Sequence, residues 1–214
     1  MGMGELNTLA LKHGTDKSSE YHDYCGIYES YLKELRNSNI ALIELGVGGY
    51  DYVDRGGESL RMWYEYLPNA KLIGLDVFPK QGIINNRTEF WEGSQVDKHL
   101  LKTILSHANG VEKRIVIDDA SHHNELTVET FRIIFPMLKG GDLYFIEDVH
   151  TSYFEGAEFE GKAEPGATET TMQFFTDLTH QMNWEHFDSK YRNEYAMKIE
   201  FIHFYKEIIV VKKL

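Results

Sequence analysis

Four short runs rich in Ile, Leu and Val, separated by segments with helical apolar spacing, constrain this chain more than any other feature. IALIELGV (40–47), KLIGLDV (71–77), RIVIDDA (114–120) and DLYFIEDV (142–149) are nearly continuous apolar stretches, the pattern of strands buried on both faces. Between them, GESLRMWYEY (57–66), VDKHLLKTILSH (96–107) and NELTVETFRIIFPML (124–138) carry apolar residues at helical spacing. Strand and helix in alternation predict an α/β fold with a doubly wound, mainly parallel sheet. The end of the chain changes character: after a helix-like 168–183, MKIEFIHFYKEIIVVKKL reads as two strands joined around Tyr205–Glu207. An antiparallel hairpin closing the sheet is therefore expected.

A length of 214 residues suits one domain. Residues 1–38, with helix-like 5–12 and 26–36 flanking the polar GTDKSSEYHDY, read as a helical cover on a domain spanning 39–214. Twenty-two basic against 34 acidic residues give a net charge of −12, which disfavours nucleic acid and anionic membrane as partners. No apolar run approaches the roughly 20 residues needed to cross a bilayer. The start MGMGELNTLA lacks the apolar stretch of a secretory signal, and Cys25 has no second cysteine to pair with, so the cytoplasm is the expected compartment. The repeated Met-Gly is compatible with an added start, which would allow this chain to be a piece of something longer. Homo-oligomer formation is left open.

Two constellations carry chemistry. The first expected strand ends in Glu44-Leu45-Gly46-Val47-Gly48-Gly49, where glycines let a ligand approach the backbone at the carboxyl edge of a sheet. A dinucleotide fingerprint would place a third glycine at 51, which is Asp, and the second-strand acid, Asp76, lies later than that fingerprint wants. An acid before the glycines and another ending the second strand suit S-adenosylmethionine (SAM) better than a nicotinamide cofactor. The other reading is a turn that merely satisfies its own backbone.

The second constellation is Asp118-Asp119-Ala120-Ser121-His122-His123 at one strand end and Glu147-Asp148 at another. Carboxylates gathered from neighbouring strand ends repel one another without a cation, and hard oxygen ligands suit Mg²⁺, or a similar ion such as Mn²⁺. Asp119, Glu147 and Asp148 are the expected metal ligands, weighed against ordinary helix capping at strand ends. His122 is the expected general base, imidazole being the usual one near neutral pH; His123 is the weaker candidate. The aromatic stretches Tyr21–Tyr31 and Tyr50–Trp63 offer a sugar-stacking surface or, equally, core packing. The loop HTSYFEGAEFEGKAEPGA (150–167), directly after these acids, reads as a lid over an acceptor.

IELGVGGYDYVDRGGESLRMWYEYLPNAKLIGLDV, VIDDASHHNE and YFIEDVHTSYF, with the upstream GTDK and the closing IHFYKEIIVVKK, resemble the metal-dependent sugar O-methyltransferases of the mycinamicin VI 2''-O-methyltransferase type, over nearly the whole chain from about Leu9. The resemblance implies a class I, Rossmann-like methyltransferase fold, SAM as methyl donor, Mg²⁺ as required ion and a deoxysugar of a glycosylated product as acceptor. It implies Asp119, Glu147 and Asp148 as metal ligands and His122 as base. For the donor it implies Glu44, Gly46 and Gly48 of the glycine loop, Ser59 and Arg61 of SLRMW, Asp76, the loop Gly93, Ser94 and Gln95, and Asp118, with Thr15 and Lys17 of GTDK closing over the methionine end. The macrolide enzymes of this type carry an additional amino-terminal domain that this chain does not show.

Two rival classes are weighed against this. A catechol-type O-methyltransferase shares fold and ion and would methylate small diphenols. A non-catalytic donor-binding module would be expected to have lost some of Asp119, His122, Glu147 and Asp148, all of which are present.

Overall fold

The computed structural model describes residues 4–214; the doubled Met-Gly start lies almost wholly outside them. Thirteen regular elements alternate along the described chain: α1 (Glu5–His13), α2 (Cys25–Leu32), β1 (Ile40–Leu45), α3 (Glu58–Tyr66), β2 (Lys71–Asp76), β3 (Thr88–Glu92), α4 (Lys98–His107), β4 (Lys113–Asp118), α5 (Asn124–Ile134), β5 (Leu143–Ile146), α6 (Thr171–Gln181), β6 (Ile199–Phe204) and β7 (Ile209–Lys213). The strands form one sheet in the order β3-β2-β1-β4-β5-β7-β6. The alternating, mainly parallel sheet and the closing antiparallel hairpin expected from the sequence are both present.

Residues divide into two compact units, one comprising the chain up to Ser94 with 106–116, the other 95–105 with Ile117–Leu214. In the first, β1 pairs in parallel with β2, and β2 with β3. All six residues of β1 are buried, including Glu44. Helix α3 turns Leu60, Met62, Trp63 and Tyr66 into the core, each such side chain contributing about 1.5–3 kcal/mol of apolar burial. Helix α1 stops at Gly14, whose left-handed φ of 74° lets its N–H reach the Ala10 carbonyl.

The second unit pairs β5 antiparallel with β7 and β7 with β6. Its core centres on Phe131 of α5, stacked on Phe135 at 4.6 Å between ring centres and edge-on to Tyr144 and Phe175. Thr170 caps α6, its hydroxyl accepting from the Gln173 N–H at 3.2 Å.

The structure departs from the sequence reading at the ends of β5 and α5 and in one further strand. The chain leaves β5 at Ile146, so Glu147 and Asp148 stand just past the strand. Helix α5 ends at Ile134 and tightens into a 3₁₀ turn over Phe135–Met137, because Pro136 has no N–H to continue the ladder. Strand β3 was not among the strands read from sequence; only Thr88 of its five residues is buried, so no continuous apolar run marks it. Among the described residues no helix is long and apolar enough to cross a membrane.

Candidate functional site

In the first unit the glycine loop is built as a sharp left-handed turn. Gly46, Gly48 and Gly49 all have positive φ, between 72° and 82°. The Gly46 N–H donates to the Leu75 carbonyl at 2.8 Å, carrying the strand ladder to its last residue. Beyond it the Val47 N–H donates to Asp76 Oδ2 at 3.1 Å and the Phe78 N–H to Asp76 Oδ1 at 3.0 Å. Asp76 therefore ties the two strand ends together. The loop folds back at Gly56, where a Cβ would collide with the Gly48 carbonyl oxygen, whereas a Cβ on Gly48 itself would meet open space. Gly48 thus presents bare backbone outward, and Gly56 is needed for packing.

Beneath the loop sits a buried charge cluster. Glu44 is 0% and Lys17 1% exposed, and Lys17 Nζ lies 3.4 Å from Glu44 Oε1. The Ser59 hydroxyl donates to Glu44 Oε2 at 2.9 Å. The Lys17 carbonyl accepts from Tyr24 N–H and from the Cys25 thiol, both at 3.1 Å. Within the polar GTDK segment Thr15 and Lys17 are thus buried, while Gly14 and Asp16 are exposed.

Arg61 donates to the Gly56 carbonyl at 3.1 Å and pairs with Glu58 at 2.8 Å. It holds the base of the glycine loop and borders a cavity of about 200 Å³ with His13, Tyr64 and Thr88. Gly93 extends β3, its N–H donating to the Asp76 carbonyl at 2.8 Å, and Ser94 is exposed. The aromatic stretches divide: Tyr24, Tyr28 and Trp63 are core, while Tyr21, Tyr50 and Tyr52 are exposed, Tyr50 at 82%.

In the second unit, Asp119, His122 and Asp148 each offer a ligand atom, all within 4.8 Å of one another and half-buried. His122 Nε2 lies 3.5 Å from Asp148 Oδ2 and 3.9 Å from Asp119 Oδ1. Oxygen donors predominate, so a hard divalent cation fits the group. Glu147 is buried beside it, its N–H donating to the Asp118 carbonyl at 3.0 Å, but its carboxylate is not one of the three grouped ligands. Both His122 and Asp148 have φ of 54°, a left-handed conformation costing a non-glycine residue about 1 kcal/mol or more. His123 points elsewhere, 3.6 Å from Glu160.

Asp118 and Gln95 take supporting places. Asp118 is fully enclosed; burial pushes its carboxyl up to about 7, the adjacent Asp119 adds to the rise, and the Tyr144 hydroxyl, donating at 2.9 Å, opposes it. Gln95 is buried with both amide ends engaged: Nε2 donates to Thr130 Oγ1 at 3.0 Å and Oε1 accepts the Ser121 N–H at 3.1 Å. It anchors the turn that carries His122. Neither Tyr144 nor Thr151, whose hydroxyl reaches both His122 and Asp148, was found from sequence, and no local spacing marks them. The 154–167 loop is tied down by the Asn124 amide donating to the Phe159 carbonyl at 2.7 Å and the Lys162 N–H to Ser152 at 2.8 Å.

The fold is that of a class I SAM-dependent methyltransferase. The chain's homologues are sugar O-methyltransferases. It is 32% identical over 216 aligned residues to the 8-demethyl-8-(2-methoxy-alpha-L-rhamnosyl)-tetracenomycin-C 3'-O-methyltransferase of Streptomyces olivaceus, covering 98% of this chain and 54% of that protein. It is 35% identical to the mycinamicin VI 2''-O-methyltransferase of Micromonospora griseorubida over 75% of this chain and 39% of that one. The solved MycE methyltransferase from the mycinamycin biosynthetic pathway, in complex with Mg, SAH and mycinamycin VI, superposes with a TM-score of 0.89 at 30% identity, over 98% of this chain and 53% of that one. The chain therefore spans about half the length of the relatives it matches. No family model matches the sequence.

Proposed function

We propose that this chain is a Mg²⁺-dependent O-methyltransferase module that transfers the methyl group of SAM to a hydroxyl of a deoxysugar, such as a rhamnose, on a glycosylated natural product. The grouping of Asp119, His122 and Asp148 carries this reading, supported by relatives that act on sugars. Glu44, Gly46, Gly48, Ser59, Asp76 and the 93–95 loop would hold the donor, with Thr15, Lys17 and Arg61 bracing that surface and Asp118 backing it. This reading sets the activity in the cytoplasm and takes 39–214 as a single domain with a helical cover before it.

Asp119 and Asp148, joined by Glu147, would hold Mg²⁺, which when bound would lower the cost of negative charge on the acceptor oxygen. The acceptor oxygen forms a bond to the methyl carbon as the carbon–sulfur bond breaks, leaving S-adenosylhomocysteine. The hydroxyl proton passes to His122 Nε2. The carboxylates at 3.5 and 3.9 Å from that atom meet the positive charge the ring then carries. A set of oxygen ligands with one adjacent imidazole suits this division of labour, since Mg²⁺ prefers oxygen and leaves the ring free to take the proton.

The test is calorimetric titration with S-adenosylhomocysteine, then a methyl-transfer screen on rhamnosides and simple catechols with Mg²⁺ or EDTA. EDTA-sensitive methylation of a glycoside, falling about a hundredfold or more in His122→Ala and Asp119→Ala, is the expected result. Methylation of catechols alone would move the assignment to the catechol class. Binding with no transfer would favour a donor-binding module.

A further inference from the structure

One buried hydroxyl serves both left-handed turns of the acidic cluster. Thr151 is 5% exposed, and its Oγ1 lies 2.9 Å from the His122 carbonyl oxygen and 2.9 Å from that of Asp148. A hydroxyl has one proton to give. The Asp148 carbonyl already accepts the Thr151 N–H at 3.0 Å, so donation of the hydroxyl proton to His122 leaves both carbonyls satisfied. These are the carbonyls of the two residues held at φ 54°, and a left-handed turn in a non-glycine residue persists only where its surroundings over-determine it. Asp148 has a further tie, because the next amide, Val149 N–H, donates to the Glu207 carbonyl at 3.1 Å. On the His122 side, the hydroxyl bridges 29 residues of chain.

We propose that Thr151 is a positioning residue: its hydroxyl fastens the His122 turn to the Asp148 turn and thereby sets the 3.5 Å spacing between His122 Nε2 and Asp148 Oδ2. The proposal rests on the cation-site reading given above. Its chemistry is plain geometry. Two short turns, each carrying one functional side chain, stay in register because Thr151 donates its hydroxyl to one and its N–H to the other. Without that hydroxyl, the His122 carbonyl loses its bond from Thr151, and the turn is released to swing its imidazole away from the carboxylates.

Mn²⁺ is the probe, its affinity measured by calorimetry on the full chain together with the thermal midpoint. Thr151→Val keeps the shape and removes the hydroxyl; Thr151→Ser keeps the hydroxyl. The expected result is Mn²⁺ binding weakened at least about tenfold, or 1.4 kcal/mol, in Thr151→Val and restored to within about threefold of wild type in Thr151→Ser. Should Thr151→Val fail to fold, Thr151→Ala is read against Thr151→Ser in the same assay. Wild-type Mn²⁺ affinity in the hydroxyl-free variant, while Asp148→Asn loses binding, overturns the role of Thr151 and leaves the cation site standing. Unchanged binding in Asp148→Asn overturns the cation site and this inference with it. Equal losses in Thr151→Val and Thr151→Ser, tracking the thermal midpoint, would show a packing role only and also overturn it.

Discussion

The Tyr144 hydroxyl of β5 donates at 2.9 Å to Oδ2 of Asp118, the last residue of β4, both groups fully enclosed. Burial raises the carboxyl from 3.8 to about 7 and holds the Tyr144 phenol well above its ordinary value of 10.0. The pair is therefore a neutral hydrogen bond in mildly acidic solution and a charged one in alkaline solution.

That pairing fixes the sign of a pH effect. The folded state keeps a proton on Asp118 that the unfolded chain gives up near 3.8, so stability from this group is full below that pH and falls as pH rises to about 7. Above it, the slope vanishes. Urea midpoints measured in EDTA from pH 4 to 8 should decline for the wild type. Asp118→Asn keeps an acceptor for Tyr144 and should flatten that decline.

Lys17 and Glu44 should behave as one unit. Removing one partner of a buried pair strands the other charge, at about 3–5 kcal/mol. Lys17→Met should lower the unfolding free energy measured by urea titration by that amount, and adding Glu44→Gln should recover part of it instead of adding a second loss. Additive losses in the double variant would show that the 3.4 Å contact does not couple them.

The two glycines of the first loop should separate folding from binding. Alanine at Gly48, where φ is 72° and space is open, should cost about 1–2 kcal/mol of stability. Its methyl group would stand on the surface proposed for the donor, so S-adenosylhomocysteine affinity should fall more steeply than stability does. Alanine at Gly56 meets the Gly48 carbonyl and should lose stability and affinity together. Thermal midpoints and calorimetric affinities on the same samples decide this.

The sheet was legible because its buried strands are continuous apolar runs, and the acidic cluster because it falls at strand ends, where open α/β sheets place their chemistry. Strand β3 was not legible, since TEFWE buries only its threonine. Gln95 was singled out by resemblance as a donor contact, while its bonds to Thr130 and Ser121, 35 and 26 residues away, have no mark in the sequence. Lys17 has no sequence signal for its burial either. Side-chain bonds over such separations have no period, so neither spacing nor composition foretells them. The same holds for Thr151 and Tyr144, whose roles come from a hydroxyl meeting a partner brought by folding.

His122 and Asp148, both left-handed without being glycine, have a consequence for variation. Glycine relieves the backbone at such positions, and asparagine tolerates it better than most residues. A library sorted for thermal survival alone should enrich glycine and asparagine at 122 and 148, emptying the cluster of imidazole and carboxylate as the molecules grow hardier. Screens that reward endurance would thus select against chemistry at two places where the backbone turns left-handed to support it.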